Sequence, residues 1–283
     1  MRRPVLIRLP ACVAIATLCA NATAAPLQFG VLGHETSASV ELARHDSENL
    51  AFIVVNGIKN ETEPCDETLF MQRKEVLDQS QHGVIISLAA SDWLSCAGNY
   101  PLPQLRTLMF DGDLSLGNNK LLLTRLANNP KFRRYVENAR WEQGGILFAT
   151  INLPAGNNHF RHEAGRNGEF EDRLVANRLW LQRLFALVPQ KKLRGLVLFS
   201  DGNLWQPNKK VRRDGFAEVR TQITQLAGKM HGKVLLIDHQ PEHPANDIGW
   251  RGNVGHISLG VGWHTFRVKP KDAQPFALVT AQH

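Results

Sequence analysis

Short apolar runs alternate along the chain with longer segments in which apolar residues recur at helical spacing. The runs are nearly continuous in apolar residues, which is typical of strands buried on both faces of a sheet. They predict β-strands at 27–33, 51–56, 84–88, 145–153, 195–200 and 233–238, followed by closing antiparallel strands at 263–269 and 276–280. The intervening segments predict α-helices at 67–78, 170–187 and 216–231. This order of elements indicates an α/β fold in a single domain.

Residues 1–24 have the composition of a secretory signal peptide. Two arginines precede an apolar stretch, and small residues come before a cleavage point after Ala24. The stretch is interrupted by Arg8 and Pro10 and is shorter than the roughly 20 residues that cross a bilayer. A retained membrane anchor is the alternative interpretation. We expect a mature domain over 25–283 that is periplasmic or secreted and has no membrane contact after cleavage.

The formal net charge of the whole chain is +7, and three of the positive charges lie in residues 1–24. The mature chain is therefore only mildly basic, at +4. Its lysines and arginines form short clusters without interleaved aromatic residues, which is typical of solvated faces rather than of a nucleic-acid surface. We expect no nucleic-acid partner.

Cys65 and Cys96 are the cysteines that remain after signal cleavage. In an oxidising compartment, two cysteines far apart in sequence indicate one disulfide, and a catalytic thiol is the alternative. The two residues follow neighbouring predicted strands, so adjacent parallel strands would bring their loops together.

Few polar side chains stand where the predicted strands end, although ligands of α/β proteins gather at those ends. The loop after strand 84–88 reads Ala-Ala-Ser-Asp over 89–92. A two-metal hydrolase needs Asp, Asn and His at most strand ends, because divalent ions prefer anionic oxygens and imidazoles. The candidate cleft residues are His34, Asn56, Ser91, Asp92, Asn157, Asn158, Asp201, Asp238 and His239.

Two of these candidates, Asn157 and Asn158, are adjacent, and their side chains are expected to stabilise a turn. Ligand contact is the alternative for this pair. Trp93 and Trp141 are predicted to pack near the cleft as structural residues.

A series of short motifs covers nearly the whole mature chain. They are Phe-Gly-Val-Leu-Gly at 29–33, Ile-Lys at 58–59, Pro-Cys-Asp at 64–66, Leu-Phe at 69–70, Asp-Trp at 92–93 with Cys96, Ser-Leu-Gly at 115–117, Asn-Ala-Arg-Trp-Glu at 138–142, Gly-Ile-Leu-Phe-Ala-Thr at 145–150, Gly-Asn-Asn at 156–158, Trp-Leu at 180–181 and Val-Gly-Trp at 261–263. In these motifs the chain resembles a bacterial exported branch of the calcineurin-like metallophosphoesterases. The resemblance implies two packed mixed β-sheets flanked by helices, an αββα sandwich, and phosphoester hydrolysis with two metal ions.

The metal ligands that the resemblance implies are mostly missing from this chain. The first-strand Gly-Asp of the family appears as glycine followed by His34, and the bridging carboxylate falls on Gly57. Ser91 stands where the family has an amide ligand. Losing the bridging carboxylate is the most damaging change, because two nearby dications repel without an anion between them. The late histidine loops of the family correspond loosely to Ser200-Asp201 and Asp238-His239.

Two hypotheses follow for the function. The first is a binding or interaction module that uses the inherited cleft, has no cofactor and takes a small molecule or a protein as ligand. The alternative is a metal-dependent phosphoester hydrolase with a rebuilt site for one zinc or manganese ion, which is chemically sufficient to activate water. The ligands of that rebuilt site would come from His34, Asp92, Asp201, Asp238 and His239.

Two further patterns suggest metal sites, and both are rejected. Asp111-Gly-Asp113 begins like a calcium loop, but leucine occupies the sixth position, where glycine is needed, and the twelfth, where glutamate is needed. We interpret it as a solvated turn. His239 and His243 are four residues apart, but the prolines at 241 and 244 prevent a helix that would align them. They are predicted to be solvated loop histidines, with a zinc pair as the alternative.

Overall fold

The computed structural model of the protein describes residues 26–33, 38–96, 102–162, 165, 167–205 and 213–279. The predicted signal peptide at 1–24 and the candidate residue His34 lie outside the described residues. No helix within the described ranges is long and apolar enough to cross a membrane.

The strands of the described chain fall close to the apolar runs of the sequence. They are β1 (Leu27–Gly33), β2 (Ile53–Asn56), β3 (Val84–Ser87), β4 (Thr124–Arg125), β5 (Ala139–Gln143), β6 (Ile146–Thr150), β7 (Gly195–Phe199), β8 (Lys233–His239), β9 (Gly249–Arg251), β10 (Val254–Leu259), β11 (Gly262–Val268) and β12 (Phe276–Val279). The helices are α1 (Ala38–His45), α2 (Glu67–Asp78), α3 (Leu102–Met109), the single turn α4 (Ala155–Asn158), α5 (Gly168–Gln190) and α6 (Ala217–Ala227).

The strands form two mixed sheets, as the family resemblance implies. The five-stranded sheet has the order β12-β11-β1-β2-β3, and the seven-stranded sheet has the order β4-β5-β6-β7-β8-β10-β9. The neighbours β1, β2 and β3 run parallel, as do β6, β7, β8 and β10. The carboxyl ends of the parallel strands within each sheet therefore lie at one edge.

Aromatic side chains fill the layer between the two sheets. The ring of Phe29 stacks on Phe52 and on Phe266, with 5.1 Å between ring centroids in each pair. Trp141 reaches Phe52 edge-on from the other sheet, with centroids 5.2 Å apart. Trp141 is buried in this layer. Each such ring removes a large apolar area from water, and this layer accordingly holds the sheets face to face.

Helices cover the outer faces of both sheets. Apolar residues of α2 and α3, such as Phe70 and Leu105, pack on the five-stranded sheet. Apolar residues of α5 and α6, such as Trp180 and Ile223, pack on the seven-stranded sheet. The result is the αββα layer order that the resemblance implies.

The predicted disulfide between Cys65 and Cys96 is present. The Cα atoms of the two residues are 5.5 Å apart. Cys65 follows β2 and Cys96 follows β3, and these strands are parallel neighbours. The bridge therefore links the two loops that leave the carboxyl ends of β2 and β3.

We expect the double substitution Cys65→Ser with Cys96→Ser to lower the free energy of unfolding by up to about 4 kcal/mol, the chain-entropy value for a closed loop of this size. The measurement is urea unfolding of the mature protein and the double variant. Each single variant should lose a similar amount, because either one removes the same bridge. Equal stability of the parent and the double variant would contradict a structural role for the disulfide.

Candidate functional site

Loops from both sheets meet at the carboxyl ends of the parallel strands. Asn56, the last residue of β2, donates a hydrogen bond from Nδ2 to the carbonyl oxygen of Ser200, which follows β7, at 3.2 Å. This bond joins the five-stranded sheet to the seven-stranded sheet. The candidate residues Ser91, Asp92, Asn158 and Asp201 are all buried in the loops around it.

Asp201 fastens three of these loops together. Its Oδ2 atom accepts hydrogen bonds from the backbone N–H of Ala90 at 2.8 Å and of Ala155 at 2.7 Å. Ala90 follows β3 in one sheet, whereas Ala155 and Asp201 follow β6 and β7 in the other. Asp201 is only 3 % exposed. Charge-assisted bonds to backbone N–H groups compensate a buried carboxylate for its lost hydration.

Asp92 links the loops that follow β2 and β3 in the five-stranded sheet by accepting their backbone N–H groups. Its Oδ1 atom accepts from the backbone N–H groups of Ile58 at 2.8 Å and Lys59 at 3.2 Å, and its Oδ2 atom accepts from that of Ala89 at 2.8 Å. Complete burial raises the pKa of Asp92 to about 6, although these N–H donors and the nearby Lys59 act in the opposite direction.

Lys59 is buried beside Asp92 and is held by backbone carbonyls. Its Nζ atom donates to the carbonyl oxygens of Asn60 at 2.7 Å and Ser91 at 2.9 Å. Burial lowers the pKa of Lys59, and the charge of Asp92 opposes that change. The loop after β3, which looked chemically blank in the sequence, is therefore built around a carboxylate and an ammonium group.

His239 fills the space beside the end of β1. A Cβ atom placed on Gly33 would lie 2.6 Å from the His239 ring, so the imidazole rests directly on the glycine. The cavity that remains has about 10 Å³ accessible to the centre of a water molecule. That volume suits about one water molecule. Two atoms on its lining residues, Oδ1 of Asn56 and Oγ of Ser87, have no hydrogen-bond partner within the described structure.

The prediction that His239 is a solvated loop residue is wrong. β8 extends one residue beyond its predicted end and includes His239, which is buried between the sheets. The cause is the parallel neighbour β10, which pairs with β8 as far as His239. His243 lies in the following loop and is exposed.

Asp238 and His239 point to opposite faces of the sheet, because successive residues of a strand alternate. The Oδ2 atom of Asp238 lies 2.6 Å from Nε2 of His256, and its Oδ1 accepts a hydrogen bond from Ser258 Oγ at 2.6 Å. Burial raises the pKa of Asp238, and the His256 and Ser258 bonds oppose this. Asp238 thus belongs to a cluster on the helix-covered face and does not converge with His239.

The turn after β6 has an unusual backbone. Gly156, Asn157, Asn158 and His159 are consecutive residues with positive φ, between 54° and 72°. Asparagine tolerates this left-handed region better than most residues, because its short amide bonds locally. The Asn157 side chain accepts from the backbone N–H of Gly215 at 2.8 Å, and Asn158 Nδ2 donates to the Gly215 carbonyl at 3.0 Å. The pair therefore stabilises the turn.

An ion pair between the buried Arg173 and the half-buried Glu169 supports this turn from α5. Arg173 donates to the side-chain oxygen of Asn158 and, at 3.0 Å, to its carbonyl oxygen. The same guanidinium donates to Glu169 Oε1 at 2.8 Å. Burial would raise the pKa of Glu169, but hydrogen bonds and charges from His159 and Arg173 lower it to about 2. Trp93 is partly buried and meets the His159 ring edge-on, with centroids 5.3 Å apart.

Sequence reasoning missed Arg173 and Glu169, although a signal was present. Arg173 stands on the stripe of α5 that carries Asn177, Trp180 and Leu184, all buried and spaced by three or four residues. A charged residue on a buried stripe requires a compensating partner.

The structure does not bring the described candidate ligands together into one site. Asp92 and Asp201 accept backbone N–H groups, and Asp238 lies on the other face of its strand from His239. Within the ranges that the structure describes, which omit His34, no group of three or more His, Cys, Asp or Glu residues is placed to hold a metal ion.

Comparison of the chain with models of protein families gives no match, and comparison with curated proteins gives none at the significance required. The resemblance to metallophosphoesterases therefore remains an interpretation of the sequence motifs.

We expect Asp92 to make stability depend on pH. A carboxyl group with a pKa of about 6 in the folded protein and 3.8 otherwise binds its proton more tightly when folded, so stability falls as pH rises through this interval. From pH 4.5 to pH 7 the loss should be about 2 kcal/mol. The measurement is urea unfolding of the parent protein and of Asp92→Asn at pH 4.5 and at pH 7. The difference between the two proteins isolates the contribution of the Asp92 carboxyl group. Parallel pH profiles for the two proteins would refute it.

Proposed function

We propose that the protein is an exported binding or interaction protein on a metallophosphoesterase-like scaffold, and that it does not hydrolyse phosphate esters. The two-sheet sandwich is the architecture that the resemblance implies, and it supports the shared scaffold. Export agrees with the disulfide, because such bonds persist in oxidising compartments.

The observation that carries the proposal is that the polar residues at the strand ends fill the space between the loops and leave almost no cavity there. The imidazole of His239 rests on Gly33 and leaves space for about one water molecule. A phosphate ester with its metal ions needs a far larger opening. Ligand pockets in proteins have volumes of about 300 to 1,000 Å³.

The position of the family's bridging carboxylate also supports the proposal. Gly57 has no side-chain oxygen to offer, and its backbone N–H donates to the Ser87 carbonyl at 3.0 Å. Its φ of 77° lies in the left-handed region, which glycine adopts without strain.

In the rival hydrolase, Asp92 and Asp201 would have to bind a metal ion in addition to the backbone N–H groups that they accept now. Five backbone N–H groups depend on these two carboxylates, and any movement of the carboxylates toward a metal ion would leave some of these groups without an acceptor. Each buried donor left without an acceptor costs about 1 to 3 kcal/mol. The free energy of metal binding would have to exceed the total cost of the donors left without an acceptor.

We expect mature protein dialysed after exposure to zinc or manganese to retain less than one equivalent of metal. We also expect no hydrolysis of an aryl phosphate above a control without protein. Metal analysis and a colorimetric phosphate assay on one preparation supply both measurements.

His34→Ala and Asp238→Ala serve as probes of the rival site, with the exposed His231→Ala as the matched control. Tightly held metal, together with turnover that His34→Ala or Asp238→Ala abolishes and His231→Ala preserves, would establish the hydrolase instead.

A further inference from the structure

The outer edge of β3 is only partly paired. β3 is the last strand of the five-stranded sheet, so β2 covers one side of it. On the other side, Val84 exchanges two backbone hydrogen bonds with Leu116, each 2.9 Å long. Val84 and Leu116 form an isolated antiparallel bridge rather than a strand pair.

The pairing stops before it reaches Ile86. In an antiparallel ladder that starts from Val84 and Leu116, the residue opposite Ile86 would be Leu114. Leu114 instead forms a bridge with Leu122, so the chain turns away from the edge. Residues two apart in a strand present their backbone groups to the same side. The outward N–H and C=O of Ile86 therefore have no partner among the described residues.

A pocket occupies the place that Leu114 leaves open. It has a volume of about 300 Å³ and contacts Val84, Ile85 and Ile86. Because successive side chains of a strand point to opposite faces, a pocket that touches all three lies beside the strand backbone. Its other apolar walls are Met109, Phe110 and Leu123.

The rim of this pocket exposes apolar surface. Leu114 is 49 % exposed, and its bridge partner Leu122 is 75 % exposed. They are among the few large apolar side chains exposed in the described structure, and they lie together beside the open edge. Exposed apolar residues grouped at a groove are typical of an interaction surface.

We propose that this groove binds an extended peptide segment of a partner protein, which adds a strand to β3 opposite Ile86. In that mode the peptide backbone exchanges two hydrogen bonds with Ile86, and a neighbouring apolar side chain enters the pocket. Without a peptide, these groups of Ile86 face the pocket and have only water as a partner.

Three cations and three carboxylates line the pocket, and their arrangement leaves the rim at Asp111 and Asp113 as the place for a basic residue of the peptide. Lys74 and Lys120 are both paired with Asp78, at 3.0 Å and 3.3 Å. Asp111 and Asp113 line the pocket and are exposed, and neither forms an ion pair within the described ranges. These two carboxylates remain to attract a lysine or arginine of the peptide.

Arg125 is buried nearby and offsets part of this negative charge: burial lowers the pKa of its guanidinium, and the charges of Asp113, Glu137 and Asp111 oppose that change. Arg125 donates to the carbonyl oxygens of Gly112 and Val136, each at 2.7 Å.

Pairing with a second copy of this chain is disfavoured by charge. A two-fold axis at the edge would bring Asp111 and Asp113 of both copies to one groove.

The test begins with a phage-displayed library of random heptapeptides, selected on the immobilised mature protein. We expect the enriched peptides to carry an apolar residue next to lysine or arginine. A synthetic copy of an enriched peptide should slow hydrogen exchange of the Ile86 amide by at least about tenfold, because that amide gains an acceptor. Methylating the peptide nitrogen opposite Ile86 should weaken binding about fivefold or more.

Protein variants add a second readout. Ile86→Pro removes the outward N–H but no hydrogen bond to β2, a position where a strand tolerates proline. It should abolish binding, whereas the matched variant Ile86→Val should retain it. Asp111→Asn with Asp113→Asn should weaken binding and reduce its dependence on salt. If Ile86→Pro does not fold, the N-methyl peptide still tests the proposal, because its binding is measured with the parent protein.

Three outcomes would overturn the proposal. They are an absence of enrichment, enriched peptides that bind equally well after N-methylation, and a protein dimer that protects the Ile86 amide without any peptide. The groove uses none of the residues at the strand ends. Its failure would therefore leave the proposed loss of phosphoesterase activity untouched, and the converse also holds.

Discussion

The Asp201 carboxylate is the interaction on which the arrangement of the strand ends depends. One oxygen atom accepts the backbone N–H groups of Ala90 and Ala155, so it joins a loop of the five-stranded sheet to one of the seven-stranded sheet. Both donors lie in loops that have no ladder partner at that point. Without an acceptor, each buried N–H costs about 1 to 3 kcal/mol. The aromatic layer holds the sheets face to face, and Asp201 fixes how their carboxyl ends meet.

The same principle explains the other charged residues of this region. Asp92 is completely buried and is compensated by three N–H donors, and Glu169 is compensated by Arg173. A metallophosphoesterase would direct such carboxylates toward metal ions. Here they hold loops, and the imidazole of His239 takes the space beside β1. Backbone donors occupy lone pairs on both oxygens of Asp92, so holding the loops and binding a metal ion compete for this carboxylate.

Apolar runs predicted the central strands well, because a strand buried on both faces has no polar positions. β5 and β10 were missed, since each combines polar and apolar residues near the outer part of its sheet. The candidate residues at strand ends were found by position, but their partners were not. The partners are backbone N–H groups of distant loops, and almost every residue type has such a group, so the sequence cannot identify them. The extension of β8 through His239 depends on pairing with β10, which is a tertiary effect.

The most direct test of the account compares the thermal stability of the mature protein with chelator and with added zinc, for the parent and for Asp201→Ala. We predict that neither chelator nor zinc changes the melting temperature of the parent. Asp201→Ala should melt several degrees lower by the same amount in both conditions, because it strands backbone donors rather than a metal ion. A parent protein that zinc stabilises and chelator destabilises, with both effects lost in Asp201→Ala, would contradict the account.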